Sequence, residues 1–398
     1  MAGEARELVI AGAGCAGLSL AVHLLRAGVT DRRITVLDPR QSFARDRTWC
    51  FWRQEPHPFE AAIGHSWSRW AVSYERRRSV AGSSRHPYQC LAADDFYASA
   101  LEQLERAPNV DLQLGVRVTA ARQEGDRVRI ETDRGELRGA YLFDSRPPPA
   151  APGLVQRFHG LFVRSAVPVF DPTTVELMDF RFGPPPEGLP PDVIRFFYLL
   201  PFSATEALVE ATYFCPASKD PAPEKTVADS SGLIHDYLAR QFGRRGEDRL
   251  ELEVLSEERG AIPMSTALTG APDPASRLVP IGLRGGHARA SSGYAFLAIQ
   301  DTARQLAAAV EAGESPARIA PWRGRARFLD RVFLSFLEKD PERAAEAFEG
   351  LFRRVPAGGL VRFLADRDRP ADALRVVSAL PKLPLLGALV RGAQPASP

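Results

Sequence analysis

A glycine-rich turn between two apolar strands lies near the start of the 398-residue sequence and constrains its fold more than any other feature. Residues 8–14 form a short apolar run that ends in glycines, and residues 34–38 form a second apolar run. The residues between them have the apolar spacing of a helix. Gly12, Gly14 and Gly17 follow the pattern G-x-G-x-x-G. The segment therefore predicts a βαβ unit whose turn is built from these three glycines.

This spacing has a physical basis in units that bind dinucleotides. The first glycine permits the tight turn, the second lets the backbone approach a pyrophosphate, and the third lets the helix pack on the strand. Asp38 follows Gly17 by 21 residues, close to the ~20 expected for a carboxylate that binds a ribose hydroxyl. The alternative is a glycine-rich turn without a ligand, but the combination favours a dinucleotide site at Gly12, Gly14, Gly17 and Asp38. Its place near the N-terminus favours FAD over NAD.

Composition narrows the class of protein. Hydrophobic residues make up 45% of the chain and charged residues 25%, which is typical of a globular protein. The net charge of +2 argues against nucleic-acid binding. The four cysteines have no metal-ligand spacing, so we expect no metal site and a reduced, cytoplasmic protein. No run reaches 18 apolar residues, and we therefore expect no transmembrane span.

The remaining pattern predicts an α/β fold in which a FAD-binding Rossmann-like domain is interrupted by a β-rich substrate domain and followed by a helical C-terminal region. Two proline-rich stretches, 146–153 and 183–191, mark loops or domain crossings. The FAD-binding domain is predicted to be discontinuous and to comprise residues 1–75, 107–150 and 260–315. The substrate domain comprises residues 76–106 and 151–259, and the helical region comprises residues 316–398.

A second glycine-rich turn follows the β-rich insert. Gly282 ends a short apolar strand, Gly286 lies in the loop that follows, and Gly293 precedes a long helical segment. The N-terminus of such a helix carries partial positive charge that favours a negatively charged reduced flavin. An ordinary turn between strand and helix is the alternative. Because the turn follows a β-rich insert, we favour a cofactor contact at Gly282, Gly286 and Gly293.

Acidic residues within apolar strands are the candidates for acid and base chemistry. Strand alternation places Glu210 on the same face as Leu208 and Phe214. Burial there would raise its pKa and make it a usable proton donor near neutral pH. A solvent-facing glutamate on an edge strand is the alternative. Glu257 and Glu258 are adjacent, so they point to opposite faces of an extended chain, and a surface ion pair is equally compatible with them.

An aromatic cluster, Trp49, Phe51 and Trp52, is the candidate wall of a substrate site. Aromatic faces attract cations through their quadrupole, which suits a reaction that passes through a carbocation. Considered alone, the cluster is also compatible with core packing.

Together these segments resemble the bacterial lycopene β-cyclase family of flavoproteins, with a GR2-type flavoprotein fold. The resemblance lies in segments that follow the family order along nearly the whole chain: 12–17 with Asp38, 47–52, 197–203, 208–214, 257–263, 282–294, 328–333 and 380–386. The sequence departs from the family at Ala211, where the family has an aspartate, and at Arg289-Ala290, where the family has His-Pro. The number of rings formed and the substrate range stay open.

The resemblance implies a redox-neutral reaction that needs reduced FAD, with NAD(P)H as the electron source. A linear end group of lycopene is protonated, closes to a ring through a carbocation and loses a proton. Glu210 matches the family's catalytic carboxylate and would act as the acid, the base or a stabiliser of the cation, while the flavin or water is an alternative proton donor. Glu257 and Glu258 are the further catalytic candidates. Cofactor contacts extend to Arg47, and substrate contacts to Trp49, Phe51, Trp52, Tyr213 and Tyr294.

Lycopene resides in the bilayer, so the resemblance also implies a peripheral membrane protein. From Arg318 to the end there are 15 Lys and Arg against nine Asp and Glu, which is compatible with docking on an anionic membrane surface or with a solvated helical face. The apolar spacing of residues 328–337 marks a candidate mouth or lid. The alternatives are a flavin monooxygenase or prenyl reductase of the same fold, and a prenyl-lipid binding protein without catalytic activity.

Overall fold

The predicted βαβ unit is present at the start of the structure, a computed structural model that describes residues 7–45, 47–148, 151–182, 193–219, 230–243, 250–267 and 273–381. Strand β1 (Leu8–Ala11) and strand β2 (Ile34–Asp38) pair in parallel, and helix α1 (Cys15–Arg26) connects them. Residues 1–6, the whole proline-rich stretch 183–191 and residues 382–398 lie outside the described residues.

The bounds of the other elements follow in chain order. The strands are β3 (Thr48–Trp52), β4 (His65–Trp67), β5 (Arg69–Tyr74), β6 (Arg77–Gly82), β7 (Tyr88–Ala92), β8 (Val110–Leu114), β9 (Val118–Glu124), β10 (Arg127–Thr132), β11 (Gly135–Gly139), β12 (Tyr141–Asp144), β13 (Leu154–Ser165), β14 (Thr174–Asp179), β15 (Ile194–Pro201), β16 (Glu206–Pro216), β17 (Leu252–Met264) and β18 (Leu278–Pro280). The helices are α2 (Ala93–Glu105), α3 (Ser230–Phe242), α4 (Phe296–Glu311), α5 (Gly324–Lys339), α6 (Ala344–Arg354), α7 (Ala357–Leu364) and α8 (Pro370–Ala379).

A five-stranded parallel sheet forms the centre of the nucleotide-binding part, in the order β18-β12-β1-β2-β8. Leu8 and Ile10 point to one face, where α1, α2 and α4 cover them. Val9 and Ala11 point to the other face, where the antiparallel sheet β9–β11 covers them. Because both faces are buried, the strands are apolar throughout rather than alternating.

A seven-stranded mixed sheet forms the second part, in the order β17-β13-β16-β15-β14-β5-β6. Helix α3 covers one of its faces, with Phe197 stacked on Tyr237 at 4.1 Å between ring centroids. The C-terminal helices α5–α8 cover the other face, where Phe214 and Phe348 belong to one hydrophobic core. Among the described residues, no helix is long and apolar enough to span a bilayer.

A buried ion pair connects the second glycine-rich turn to the C-terminal helices. The guanidinium of Arg289 lies 3.1 Å from the Asp330 carboxylate on α5 and donates to the Phe363 carbonyl on α7. Ser291 donates to the same carboxylate at 2.7 Å. Both charged side chains are at most 5% exposed, so removal of one partner would leave an uncompensated buried charge.

The predicted α/β class, with its Rossmann-like domain, β-rich part and helical C-terminal region, is confirmed by this architecture. The predicted boundaries differ from the observed packing in three places. Phe96, Ala100 and Leu104 on α2 pack in the nucleotide-binding core, although residues 76–106 were predicted for the substrate domain. Conversely, β5 within residues 1–75 and residues 260–264 of β17 were predicted for the FAD-binding domain but pair in the seven-stranded sheet. Long-range packing places these elements, and the periodicity of a short segment carries no information about it.

Gly17→Ala should lower the free energy of unfolding by about 1–3 kcal/mol or more, since its Cβ would lie 1.8 Å from the Gly12 carbonyl oxygen. Gly14→Ala is the matched control, because its Cβ would meet no atom within 4 Å. We expect the control to lose at most about 1 kcal/mol through a weaker helix N-cap. Urea denaturation followed by circular dichroism measures both, and equal stability of the two variants would contradict the packing role of Gly17.

Candidate active site

A cavity of about 860 Å³ lies between the two parts of the protein. Its walls include the first glycine-rich turn at one end and side chains of α5–α8 at the other. Glu210 lines the same cavity. The structure therefore places the predicted dinucleotide site and the predicted acid on one continuous space.

The dinucleotide end has the geometry that the glycine pattern predicts. Gly12 adopts φ +101°, a conformation that side chains rarely tolerate. The position where Gly14 would carry a Cβ is open, which leaves room for a close approach to the backbone. Gly17 does not line the cavity and instead permits close packing between helix and strand.

Asp38 lines this end as a charged carboxylate. Burial alone would raise its pKa, but hydrogen bonds from the Arg40 guanidinium and from the backbone of Arg40 and Ala13 hold the pKa below its ordinary value. The Ala13 N–H donates at 2.6 Å and the Arg40 side chain at 2.9 Å. A carboxylate kept ionised beside a glycine turn can accept hydrogen bonds from ribose hydroxyls.

The second glycine-rich turn contributes two of its three predicted glycines. Gly282 and Gly293 line the cavity with positive φ angles of +62° and +74°. Gly286 lies outside the cavity, where its carbonyl accepts a hydrogen bond from the Trp322 indole at 2.8 Å. Its prediction as a cofactor contact is therefore not supported by its position. Arg47 lines the cavity.

Glu210 projects into the cavity from β16. Leu208, Thr212 and Phe214 share its face and line the same space, as alternation predicts. The residue is only 9% exposed. Burial is the main cause that raises the pKa of Glu210 well above its ordinary value, and the nearby Glu258 carboxylate raises it further. Both effects favour the protonated, neutral form of the Glu210 carboxyl group.

Glu258 lies directly behind Glu210 and does not line the cavity. It is 5% exposed and accepts a hydrogen bond from the Thr48 hydroxyl at 2.8 Å. Burial raises its pKa, while hydrogen bonds from Glu210 and Thr48 and the charges of Arg45 and Arg47 act in the opposite direction. These contacts favour a proton on Glu210 and a negative charge on Glu258.

Glu257 points to the opposite face of β17, as its position next to Glu258 predicts. Its side chain is 54% exposed and pairs with His159 at 2.9 Å and Arg259 at 3.0 Å. The structure therefore places Glu257 outside the cavity, in the ion pair that was the alternative interpretation. Its predicted catalytic role does not fit this position.

Three of the five aromatic residues predicted to contact substrate line the cavity, and two do not. Trp49, Trp52 and Tyr294 line the cavity. Phe51 is buried outside it and stacks on Phe296 at 4.5 Å between centroids, so it packs the core. Tyr213 lies on the opposite face of β16, in the apolar cluster under α3. Neither Phe51 nor Tyr213 can contact a ligand in this cavity.

Two tyrosines that sequence reasoning missed complete the polar wall. The Tyr88 hydroxyl shares hydrogen bonds with Tyr198 at 3.0 Å and with Tyr294 at 3.1 Å, and all three residues line the cavity. Tyr198 pairs with Glu210 across β15 and β16. Strand alternation places Tyr198 on the same face as Leu200, and this pattern could have identified Tyr198 from the sequence. No local pattern connects Tyr88, on the distant strand β7, with the site.

The C-terminal helices form the apolar end of the cavity. Leu329, Val332 and Phe333 of α5 line it, whereas Phe336 and Leu337 of the predicted mouth are buried in the core. On α8, Val376, Val377 and Leu380 also line it. Because Val377 is 42% exposed, the cavity reaches the protein surface beside α8.

This arrangement can protonate an apolar ligand and stabilise a cation. It combines a buried carboxyl group with aromatic faces, next to the apolar walls that α5–α8 contribute. Within the described ranges, no group of His, Cys, Asp and Glu has the geometry of a metal site.

Comparison with known proteins agrees with this geometry. The family model described as "Lycopene cyclase protein" matches residues 7–390. A lycopene beta-cyclase from Pantoea ananas is 26% identical over 414 aligned residues, which cover 96% of this chain and 97% of that protein. A lycopene beta-cyclase from Paracoccus sp. (strain N81106 / MBIC 01143) is 34% identical over 209 residues, 49% of this chain and half of that protein.

Solved structures share the fold at low sequence identity. A geranylgeranyl bacteriochlorophyll reductase-like protein from Thermoplasma acidophilum matches with a TM-score of 0.62 and 10% identity, covering 98% of this chain and 99% of the other. A flavoprotein/dehydrogenase from Cytophaga hutchinsonii matches with a TM-score of 0.60 and 14% identity, covering 98% and 100%. Because the family model spans nearly the entire sequence, the chain belongs to the lycopene cyclase protein family.

Proposed function

We propose that the protein is a lycopene β-cyclase that converts the linear ψ-end groups of lycopene to β-ionone rings, giving γ-carotene and β-carotene without net oxidation or reduction. The observation that carries this proposal is the buried, proton-bearing Glu210 in an apolar cavity that also contains the dinucleotide turn. Membership of the lycopene cyclase family supports a linear carotene as substrate. The relatives named lycopene beta-cyclase support the same ring type.

The residues at the dinucleotide end fit FAD. The open position at Gly14 and the ionised Asp38 provide the approach to a pyrophosphate and the acceptor for ribose hydroxyls. Gly282 and Gly293 would border the flavin end. When bound in its reduced form, FAD would supply negative charge beside the developing carbocation. We propose NAD(P)H as the source of the electrons that keep it reduced.

Glu210 starts the reaction by transferring its carboxyl proton to the terminal double bond of the end group. The resulting cation is attacked by the next double bond, which closes a six-membered ring and moves the positive charge into the ring. Loss of a ring proton then forms the β-ionone double bond, so one proton enters and one leaves. The ring faces of Trp52 and Tyr294 attract the cation, and the apolar walls exclude water that would trap it.

The surface beside α8 is the proposed route for lycopene from the bilayer, which makes the protein a peripheral protein of the cytoplasmic membrane face. Leu374 is 70% exposed and Val377 is 42% exposed on this helix, and Phe328 on α5 is 37% exposed. Arg375 and Arg325 lie on the same two helices and suit an anionic membrane surface.

Glu210→Gln should reduce ring formation at least ~100-fold, because a general acid typically contributes 10²–10⁴-fold to the rate. Glu257→Gln is the matched control and should retain activity, since that side chain points away from the cavity. Each variant is incubated anaerobically with lycopene liposomes, FAD and reductant, and the carotenes are separated by chromatography. Full activity of Glu210→Gln with FAD still bound would contradict the assignment.

The amount of cyclic carotene formed should exceed the amount of NAD(P)H oxidised, because the reaction needs reduced FAD but transfers no net electrons to the substrate. Both quantities are measured in the same anaerobic reaction, by chromatography and by absorbance. A monooxygenase or prenyl reductase consumes one NAD(P)H in each turnover. One-to-one consumption would therefore favour those alternatives, and the absence of flavin absorbance would contradict the cofactor assignment.

Replacement of Leu374 and Val377 together by glutamate should weaken binding to anionic liposomes at least about tenfold, since burial of one large apolar side chain is worth about 1.5–3 kcal/mol. Val167→Glu is the control, because Val167 is 49% exposed but lies in the loop after β13. Cosedimentation with liposomes measures the bound fraction. Equal binding of the double variant and the control would place the membrane contact elsewhere.

A further inference from the structure

Three residues lie in a row across the seven-stranded sheet at the position of the acid. Gly160 on the middle strand β13 pairs with Glu210 on β16 and with Glu258 on β17. Neighbouring strands are about 4.8 Å apart, so the two glutamates are separated by a complete strand. Side chains two strands apart do not normally meet, because a side chain of the middle strand lies between them.

At this position the middle strand carries no side chain. A Cβ on Gly160 would lie 2.9 Å from the Glu210 Cγ and 3.3 Å from the Glu258 Cγ. It would also lie 2.9 Å from the Leu208 Cδ1. Such distances are below ordinary van der Waals contact, so any larger residue would push the two carboxyl groups apart. Gly160 thus occupies the one register position where its lack of a side chain lets Glu210 and Glu258 form a hydrogen bond.

We propose that Gly160 and Glu258 are positioning residues for Glu210: the missing side chain of Gly160 lets the Glu258 carboxylate reach across β13 and hold the Glu210 carboxyl group as its proton-bearing partner. This inference rests on the proposed function, since it concerns the same acid. Neither positioning residue lines the cavity, so both act through Glu210 and not on the substrate.

The surroundings of the two carboxyl groups decide which one carries the proton. Two carboxylate ions cannot hydrogen-bond to each other, so one of them must be protonated. Thr48 donates to Glu258, and the charges of Arg45 and Arg47 stabilise its negative form. The groups that act on Glu210 are Glu258 and the Cys50 thiol, and both disfavour its ionisation.

Beside Glu210 in the sheet, β15 presents a neutral group. Tyr198 on β15 pairs with Glu210 in the sheet, and its hydroxyl bonds to Tyr88 and to the Cys50 thiol. On β17, Arg259 lines the cavity, and its guanidinium pairs with the half-exposed Glu257 carboxylate at 3.0 Å. Glu258 is therefore the charged group that sets the titration of Glu210, and Gly160 sets the distance between them.

The sign of the resulting pH dependence follows from this arrangement. Ring formation requires protonated Glu210, so the rate falls as the pH rises through its pKa. The negative charge of Glu258 raises that pKa, and an uncharged glutamine in its place would lower it, while burial would still keep it above the ordinary value. The alkaline limb of the pH profile of kcat/KM should therefore move to lower pH in Glu258→Gln.

The experiment compares Glu258→Gln, Gly160→Ala, their double variant and the control Glu257→Gln. We expect the alkaline limb to move to lower pH in the first three and to stay unchanged in the control. If Gly160 acts through the carboxyl pair, the double variant should be no slower than Glu258→Gln, because both changes remove the same interaction. Flavin absorbance and thermal unfolding show whether each variant folds.

Infrared spectroscopy adds a readout that does not depend on turnover. The folded protein should show the carbonyl band of a protonated carboxylic acid at neutral pH, absent from Glu210→Gln and lost at lower pH in Glu258→Gln than in the unaltered protein. An unchanged pH profile and an unchanged band in Glu258→Gln would overturn this inference, even if Gly160→Ala fails to fold. Full activity of Glu210→Gln would instead overturn the proposed function.

Discussion

The hydrogen bond between Glu210 and Glu258 is the interaction on which the candidate site depends. It requires that three strands keep one register, that the middle strand carries a glycine there, and that Thr48 on a different sheet reaches Glu258. A carboxyl group buried without such a partner would still be protonated, but its orientation would be free. The second carboxylate fixes both the proton and the direction of the first carboxyl group. The register of the sheet therefore brings the carboxyl groups of Glu210 and Glu258 together, in addition to forming a wall of the cavity.

The nucleotide-binding part contributes a different kind of constraint. Its glycines matter because they carry no side chain. Gly14 leaves space at the turn, and Gly17 lets α1 approach β1. The buried ion pair between Arg289 and Asp330 then joins the second glycine turn to α5. Because α5 also lines the apolar end of the cavity, this ion pair and the hydrogen bond from Ser291 to Asp330 connect the cofactor end to the substrate end. A buried pair of this kind adds little net stability, but it specifies the relative position of the parts it joins.

Features of the fold and site that depend on a few neighbouring residues could be predicted from the sequence. Features that depend on contacts between distant segments could not. Glycine spacing predicted the turn at Gly12, and strand alternation predicted the cavity face of Glu210, since both patterns span a few residues. The placements of Phe51 and of α2 depend on packing partners far along the chain, and proximity to Trp49 and Trp52 was a poor guide to them. Gly160 could not be found from its neighbours at all, because its role appears only when β16 and β17 are aligned on either side of it.

The two departures from the family pattern can now be located relative to the acid. Ala211 lies on the face of β16 opposite Glu210, within the apolar cluster under α3, and pairs with His159 across the sheet. An alanine there changes the packing beneath the sheet while the cavity face stays the same. Arg289 lies in the loop before Gly293, and its guanidinium donates hydrogen bonds to Asp330 on α5 and to the Phe363 carbonyl on α7. Both departures therefore alter the supports of the site, and neither removes a group that contacts the cavity beside Glu210.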